Sequence, residues 1–312
     1  MTESDNLKTS LLKFLRCPDC HSELSVVILR ESEGEIERGS LVCRNCGQVF
    51  PIVRFIPRFV SSDAYVRSFS AEWNIFSKTE LDMEGKTESR DTFILKAGKK
   101  PQDLAGKVVL DAGCGMGRFS EVVSRETKAT VVGFDLSSAV DSARSNIGSR
   151  GNVHVVQADI MRLPFADATF DFIYSIGVLH HTPNPKRSFE RLVPLLKKGG
   201  EIVVWVYAKS HSDFYSDTWR KVTSRVPWSM TLGFSRIITK LYGVYRKFPY
   251  PAKFLPISMH KDPEWRLLDT FDWYAPKYQY KFETNEVVSW FEEMGFREIE
   301  TLSFPVSVRG KR

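Results

Sequence analysis

Four of the chain's five cysteines form two close pairs near its start, Cys17-Pro-Asp-Cys20 and Cys43-Arg-Asn-Cys46. A two-residue gap lets one knuckle offer two thiolates, and two knuckles brought together by strands give the four sulfurs of a closed tetrahedral zinc site. Such a site has no open position for a substrate. Structural Zn2+ is therefore expected to hold this small module together without taking part in chemistry. A dithiol redox role needs one active pair and explains two poorly. His21, beside the first pair, is an alternative ligand; an exposed histidine next to the site is the plainer reading.

A second constellation begins at Val-Val-Leu-Asp, residues 108–111, where Asp111 is followed by Gly113, Gly115 and Gly117. A strand, a tight glycine turn and a helix opening near Phe119 would let backbone approach a ligand closely, with Asp111 able to face a ligand cation. The glycines are spaced two and two, unlike the G-x-G-x-x-G of dinucleotide sites. Downstream, TVVGFD ends in Asp135, whose carboxylate can accept from both hydroxyls of a ribose. Capping the helix that follows is its alternative role, although Ser137 or Ser138 could cap instead. VHVVQAD supplies Asp159, and FDFIYSIG feeds a loop with His180 and His181 at the carboxyl end of a strand, where open α/β sheets bind ligands. A neutral imidazole there can take a proton from an attacking hydroxyl or amine; orienting the loop by hydrogen bonds is the other role.

These motifs, in this order over roughly residues 104 to 208, resemble class I S-adenosylmethionine-dependent methyltransferases of the type 11 group. The resemblance implies an α/β fold with a Rossmann-like seven-stranded sheet whose last strand is antiparallel. It also implies S-adenosylmethionine held by Asp111 and the three glycines, by Asp135 and Leu136, and by Asp159 with Ile160 at the adenine. The N-terminal segment resembles the small zinc-ribbon proteins that activate tRNA, rRNA and release-factor methyltransferases. It shares their LLxxLxCPxC opening and their CxxCG closing segment before Phe50-Pro51-Ile52. Two features depart from that pattern. Arg54-Phe55 stands where Asp-Gly is usual, and ESEGEIER at 31–38 is a polar insertion expected to form an exposed hairpin loop. Fusion to the larger domain suggests that the ribbon serves its own chain.

The elements that must position these residues divide the chain into a ribbon at 1–60, a linker with a helical lid at 61–103, and a catalytic domain at 104–312 carrying a cap insertion at about 209–283. Phe69, Trp73 and Phe76 recur on one helix face, for plain packing or as a lid. Strand five is read as EIVVWVYAKS, 201–210. From Lys209 to Lys253 the cap has nine Lys or Arg against two Asp, interleaved with aromatics, and FSRIITKLYGVYRKF has the pattern of an amphipathic helix. A pocket-shaping cap, a surface for anionic membrane or lipid-linked substrate, and an RNA surface all fit. Asp269, Asp272, Trp273, Tyr274, Tyr278 and Tyr280 gather polar aromatic character before the last helix, and Tyr274 joins the two histidines as a base candidate. In NEVVSWFEEMG, the buried face is expected to be Val287, Val288, Trp290, Phe291 and Met294.

Composition narrows the function. A cytosine-carbon methyltransferase needs a nucleophilic cysteine, yet Cys114 lies in the glycine turn and the others are assigned to zinc; an N-P-P-Y signature for base-amine methylation is absent after strand four. No apolar stretch is long enough to span a bilayer, and MTESDNLKTS lacks a signal core. A cytoplasmic protein is expected, with the inner face of a membrane as a peripheral location. The net charge of +6 suits an anionic partner without choosing one. Methyl transfer to a small-molecule, glycan-precursor or lipid-linked acceptor is the leading expectation; RNA methylation and a non-catalytic S-adenosylmethionine-binding scaffold are the alternatives. Oligomeric state is left open.

Overall fold

A computed structural model describes residues 7–32, 34–60, 66–82, 85–210, 213–248, 250 and 254–312. Most of the N-terminal segment lacking a signal core, Glu33 of the polar insertion, and parts of the linker and cap lie outside the described residues. After a short helix α1 (Leu7–Leu12), the first module is an antiparallel sheet of β1 (Leu24–Ser32), β2 (Glu35–Cys43), β3 (Val49–Val53) and β4 (Ile56–Pro57) in that order. The polar insertion is thus no exposed loop. Both strands run into it, with Ser32 opposite Glu35 and Ile36 buried, and Glu35 forms an ion pair with Arg144 of the large domain. Strand alternation gives the cause, since an apolar Ile36 between charged residues lets one face pack while the other stays wet.

The linker holds α2 (Arg67–Ile75) and α3 (Glu88–Ala97). Then come β5 (Val108–Ala112), α4 (Arg118–Glu126), β6 (Thr130–Asp135), α5 (Ala139–Ile147), β7 (Val153–Gln157), β8 (Phe170–Ile176), α6 (Pro185–Leu192) and β9 (Leu196–Trp205). In the cap follow α7 (Asp213–Thr223), α8 (Trp228–Ile238), α9 (Tyr242–Lys247) and α10 (Pro263–Tyr274), before α11 (Thr284–Glu293), β10 (Arg297–Thr301) and β11 (Ser307–Lys311). The large sheet has the order β10-β11-β9-β8-β5-β6-β7, with only β11 antiparallel to its neighbours. The parallel strands are largely apolar where helices cover both faces, as in VVLDA of β5 and IVVW at the end of β9. One core face gathers Phe93, Val122 and Val140, and the other Phe134, Phe165 and Phe189.

Three expectations are corrected. Strand five starts at Leu196 and ends at Trp205, because β8 and β11 both pair along it; beyond Trp205, Ala208 bridges Phe282 instead. The amphipathic run in the cap is two helices: the Thr239 hydroxyl donates to the Ser235 carbonyl at 2.8 Å, and a tight turn at Thr239–Leu241 separates α8 from α9. Met294 caps α11 and is exposed, so only Val287, Trp290 and Phe291 are fully buried there. No helix among the described residues is long and apolar enough to cross a membrane.

The first module closes the β7 edge of the large sheet. Arg58 bridges Gln157 in parallel, and the Phe59 amide donates to the Gln157 carbonyl at 2.8 Å. Arg54 and Phe55 occupy a two-residue turn at φ +52° and +66°, a conformation that usually favours Asn-Gly or Asp-Gly. The departure has a packing consequence, since the Phe55 ring lies 4.6 Å from the Arg144 guanidinium and Arg54 reaches Asp141 at 4.0 Å. Arg58 donates to Asp141 and to the Gln157 side chain, both at 2.8 Å. Replacing Arg58 with Ala leaves half-buried Asp141 only the 4.0 Å approach of exposed Arg54 and is expected to lower unfolding free energy by about 1–3 kcal/mol, read from the urea midpoint. An unchanged midpoint would show that the junction contributes nothing to stability.

Candidate functional site

A cavity of about 260 Å³ opens at the carboxyl ends of the central strands, between the glycine turn below and helices α2 and α10 above. The floor exists because Gly113, Gly115 and Gly117 take φ of +90°, +52° and +92°, which side-chain-bearing residues rarely adopt. A Cβ on Gly113 would lie 2.4 Å from Val178, and one on Gly115 would narrow its gap to Trp73 to 3.4 Å. Gly113 and Gly115 line the cavity; Gly117 lies behind it, letting α4 pack against Ile147 of α5.

The acids sort themselves by depth. Asp135 lines the cavity, accepting from the Gly115 amide at 3.0 Å and from the Ser137 amide and hydroxyl at 2.8 and 2.6 Å. It therefore braces both the glycine turn and the approach to α5, and burial raises its pKa. Leu136 and Ile160 line the same end. Asp111 does not reach the cavity. Its carboxylate accepts from the Ser120 hydroxyl at 2.7 Å, and burial pushes its pKa up to about 7, so it anchors α4 beneath the turn. Asp159 sits between the lining residues Ala158 and Ile160, its carboxylate accepting from the Met161 amide at 2.9 Å.

Of the three base candidates, one lines the cavity. His181 does, and its Nδ1 pairs with the Tyr278 carbonyl at 2.8 Å, which makes Nδ1 the protonated nitrogen and leaves the Nε2 lone pair 4.0 Å from Asp272. Burial lowers its pKa and keeps it neutral. His180 is sealed behind Tyr207, ring on ring at 4.0 Å, with no partner for either nitrogen among the described residues. Tyr274 is buried away from the cavity, its hydroxyl donating to the Pro256 carbonyl at 2.7 Å, because α10 turns that side chain toward Ile257 and Tyr245.

Several lining residues had no motif to announce them. Glu72 of α2, Glu80, Lys96, Arg118, Trp205 and Tyr207 join Asp269 and Asp272 of α10. Arg118 donates to Glu80 at 2.7 Å, Tyr207 donates to Asp272 at 2.6 Å, and the Lys96 ammonium stands 3.3 Å from the centre of a Trp205 ring. Burial, with Arg118 nearby, lowers the Lys96 pKa to about 7. The one signal was Glu72, a charge on the helix face carrying Phe69 and Trp73. On that face Phe69 and Trp73 line the cavity, and Phe76 packs against Leu232, Leu268 and Phe271 of the cap.

In the first module the four cysteine sulfurs lie within 4.8 Å of one another, with Cys17 to Cys46 at 3.6 Å and Cys20 to Cys43 at 3.4 Å. Zn–S bonds of about 2.3 Å in a tetrahedron place sulfurs roughly 3.8 Å apart, so the donor set fits structural zinc. His21 is exposed and outside this group.

Residues 110–204 match the family described as Methyltransferase domain, and residues 8–54 match the family described as Trm112p-like protein. Methyltransferase GfsG of Streptomyces halstedii is 36% identical over 104 residues, 32% of this chain and 37% of that protein. Sterol 24-C-methyltransferase erg6 of Schizosaccharomyces pombe is 28% identical over 165 residues, 51% of this chain and 42% of that protein. The Bos taurus protein named "Probable tRNA methyltransferase 9B" is 32% identical over 136 residues, 42% of this chain and 28% of that protein. The chain spans less than half the length of each of these relatives.

Two outcomes are expected. Elemental analysis of the purified protein should find one zinc equivalent, which Cys43→Ser should lose while melting at a lower temperature; retention of one full zinc equivalent would remove Cys43 from the ligand set. His180→Phe should stabilise by about 1–2 kcal/mol, because it removes two unpartnered buried nitrogens. Burial lowers the His180 pKa. Below about pH 6.5 the unfolded histidine therefore takes up a proton that the folded one refuses, and the wild type loses stability as pH falls. The advantage of the Phe variant should grow in that window, and a pH-independent difference in urea midpoint would contradict this account.

Proposed function

We infer that this chain, in which a Trm112p-like domain precedes a methyltransferase domain, is an S-adenosylmethionine-dependent methyltransferase of a small or lipid-linked acceptor, with zinc confined to a structural role. The observation that carries the reading is one roofed cavity joining a nucleoside-type end to a polar aromatic end. At the first end the glycine turn gives close backbone approach, Asp135, which already accepts three hydrogen bonds, keeps one lone pair for a ribose hydroxyl, and Asp159, just behind the lining residues Ala158 and Ile160, is the acceptor for an exocyclic amine. At the second, His181 presents Nε2 among Phe69, Tyr207 and Asp272. S-adenosylmethionine, when bound, supplies a methyl group already activated on a sulfonium. The chain's own task is then to hold the acceptor in line, keep water out and receive a proton.

Glu72, Leu268, Asp269 and Asp272 reach the cavity from α2 and α10, a roof that suits a small or slender acceptor better than a folded nucleic acid. Outside, the basic cap exposes Trp219, Ile237, Val244 and Phe248. Lys and Arg interleaved with such residues favour an anionic bilayer surface, which supports a lipid-linked acceptor and a peripheral location at a cytoplasmic membrane face. The same surface carries the second reading, an RNA acceptor neutralised and stacked along the cap.

Asp135→Ala should weaken S-adenosylmethionine binding by at least about tenfold, or about 1.4 kcal/mol, by calorimetry. Full retention of affinity would remove the ribose assignment. Label transferred from methyl-labelled donor into an extract should appear in the organic-soluble or small-metabolite fraction; nuclease-sensitive label would install the RNA reading.

A further inference from the structure

We propose that the acceptor end of the cavity is a seat for a protonated amine, held between the carboxylates of Glu72 and Asp272 within a wall of aromatic rings. The proposal rests on the methyltransferase reading and names the chemical class of its acceptor.

Glu72 is the telling group. It is 1% exposed, it lines the cavity, and its Oε2 has no hydrogen-bond partner among the described residues. A buried carboxylate oxygen without a partner is costly and calls for an explanation. Asp272 enters from the opposite helix, one oxygen accepting from the Tyr207 hydroxyl at 2.6 Å and the other 4.0 Å from His181 Nε2. It is the strongest like-charge neighbour of Glu72. Two buried acids facing one cavity ionise together at a cost that a cation between them removes.

Among the described residues, the two Lys or Arg side chains that line the cavity have other partners. Arg118 is paired with Glu80, and Lys96 rests against Trp205 with Glu80 and Asp269 as its acidic neighbours. Phe69, 5.0 Å from the His181 ring, and Tyr207 complete walls of the kind that attract ammonium groups. An acceptor that enters as an anion meets two carboxylates; an ammonium meets complementary charge. His181 then has a defined part. The N–H bond of the ammonium breaks, an Nε2–H bond forms, and the positive charge passes to an imidazolium beside Asp272, leaving the amine lone pair free to attack.

The test is calorimetric titration of the full chain with 2-phenylethylammonium and with 2-phenylethanol, a neutral probe of nearly equal size, each with and without S-adenosylhomocysteine. Wild type should prefer the ammonium by about tenfold or more, as charge-assisted contacts are roughly twice as strong as neutral ones. Glu72→Gln, which keeps shape and removes charge, should bring the two probes within about threefold while S-adenosylhomocysteine affinity changes less than about twofold. Equal wild-type affinities for the two probes would overturn the proposal. So would a Glu72→Gln protein that loses S-adenosylhomocysteine and keeps its probe preference, since Glu72 would then serve the donor's own ammonium. Should wild type show the ammonium preference yet bind no S-adenosylhomocysteine, the seat stands and the methyltransferase reading fails.

Discussion

The left-handed backbone of the glycine turn is the constraint on which the rest depends. Gly113 and Cys114 amides both donate to the Phe134 carbonyl at 2.9 Å, and the Gly115 amide donates to Asp135, so the end of β5 is tied to the end of β6. That tie sets the cavity floor and fixes where α4 begins. Trp73 of α2 lies directly above Gly115, whose φ of +52° favours glycine. A side chain at Gly113 would displace Val178 and, with it, the loop that carries His181.

Burial then decides what each polar group can do. His180 and His181 are adjacent, yet one is sealed against Tyr207 and the other has a carbonyl on Nδ1 and open space at Nε2. Asp111 lies one residue before the end of β5 and Asp135 ends β6, yet the first is turned inward to Ser120 and the second stands at the wall. Identical residue types acquire different chemistry from a few ångströms of depth, since desolvation acts on charge more strongly than on shape.

The zinc module takes part in the large domain's architecture. An exposed β7 edge is a template for unwanted pairing, and here Arg58 and Phe59 pair with Gln157 on it, while Leu15 bridges Phe165 in the loop beyond. Phe14, Leu15, Phe50 and Phe59 share one continuous core with Phe134, Val156 and Phe170. The ribbon therefore meets the sheet at β7, whose continuation, Ala158 to Ile160, forms part of the cavity wall. Arg162, just beyond, forms an ion pair with Asp19 in the first cysteine knuckle.

Local signals in the sequence determined the four-cysteine cluster, the glycine turn, the parallel strands and the acids near their ends, because each depends on residues close in the chain: a two-residue thiolate gap, a positive φ, an apolar run. Tertiary structure alone decided the rest. Glu72, Tyr207 and Asp272 come from three distant segments, and no spacing rule connects them; their meeting depends on α2 and α10 packing through Phe76, Leu268 and Phe271. Tyr274 was excluded by the same helix that delivers Asp272, since helical rotation sends residues two apart to different faces. The polar insertion and Arg54-Phe55 looked like departures from a pattern until α5 supplied Asp141 and Arg144 as their partners. Periodicity and turn chemistry are written along the chain, whereas depth and long-range pairing exist only once the chain has folded.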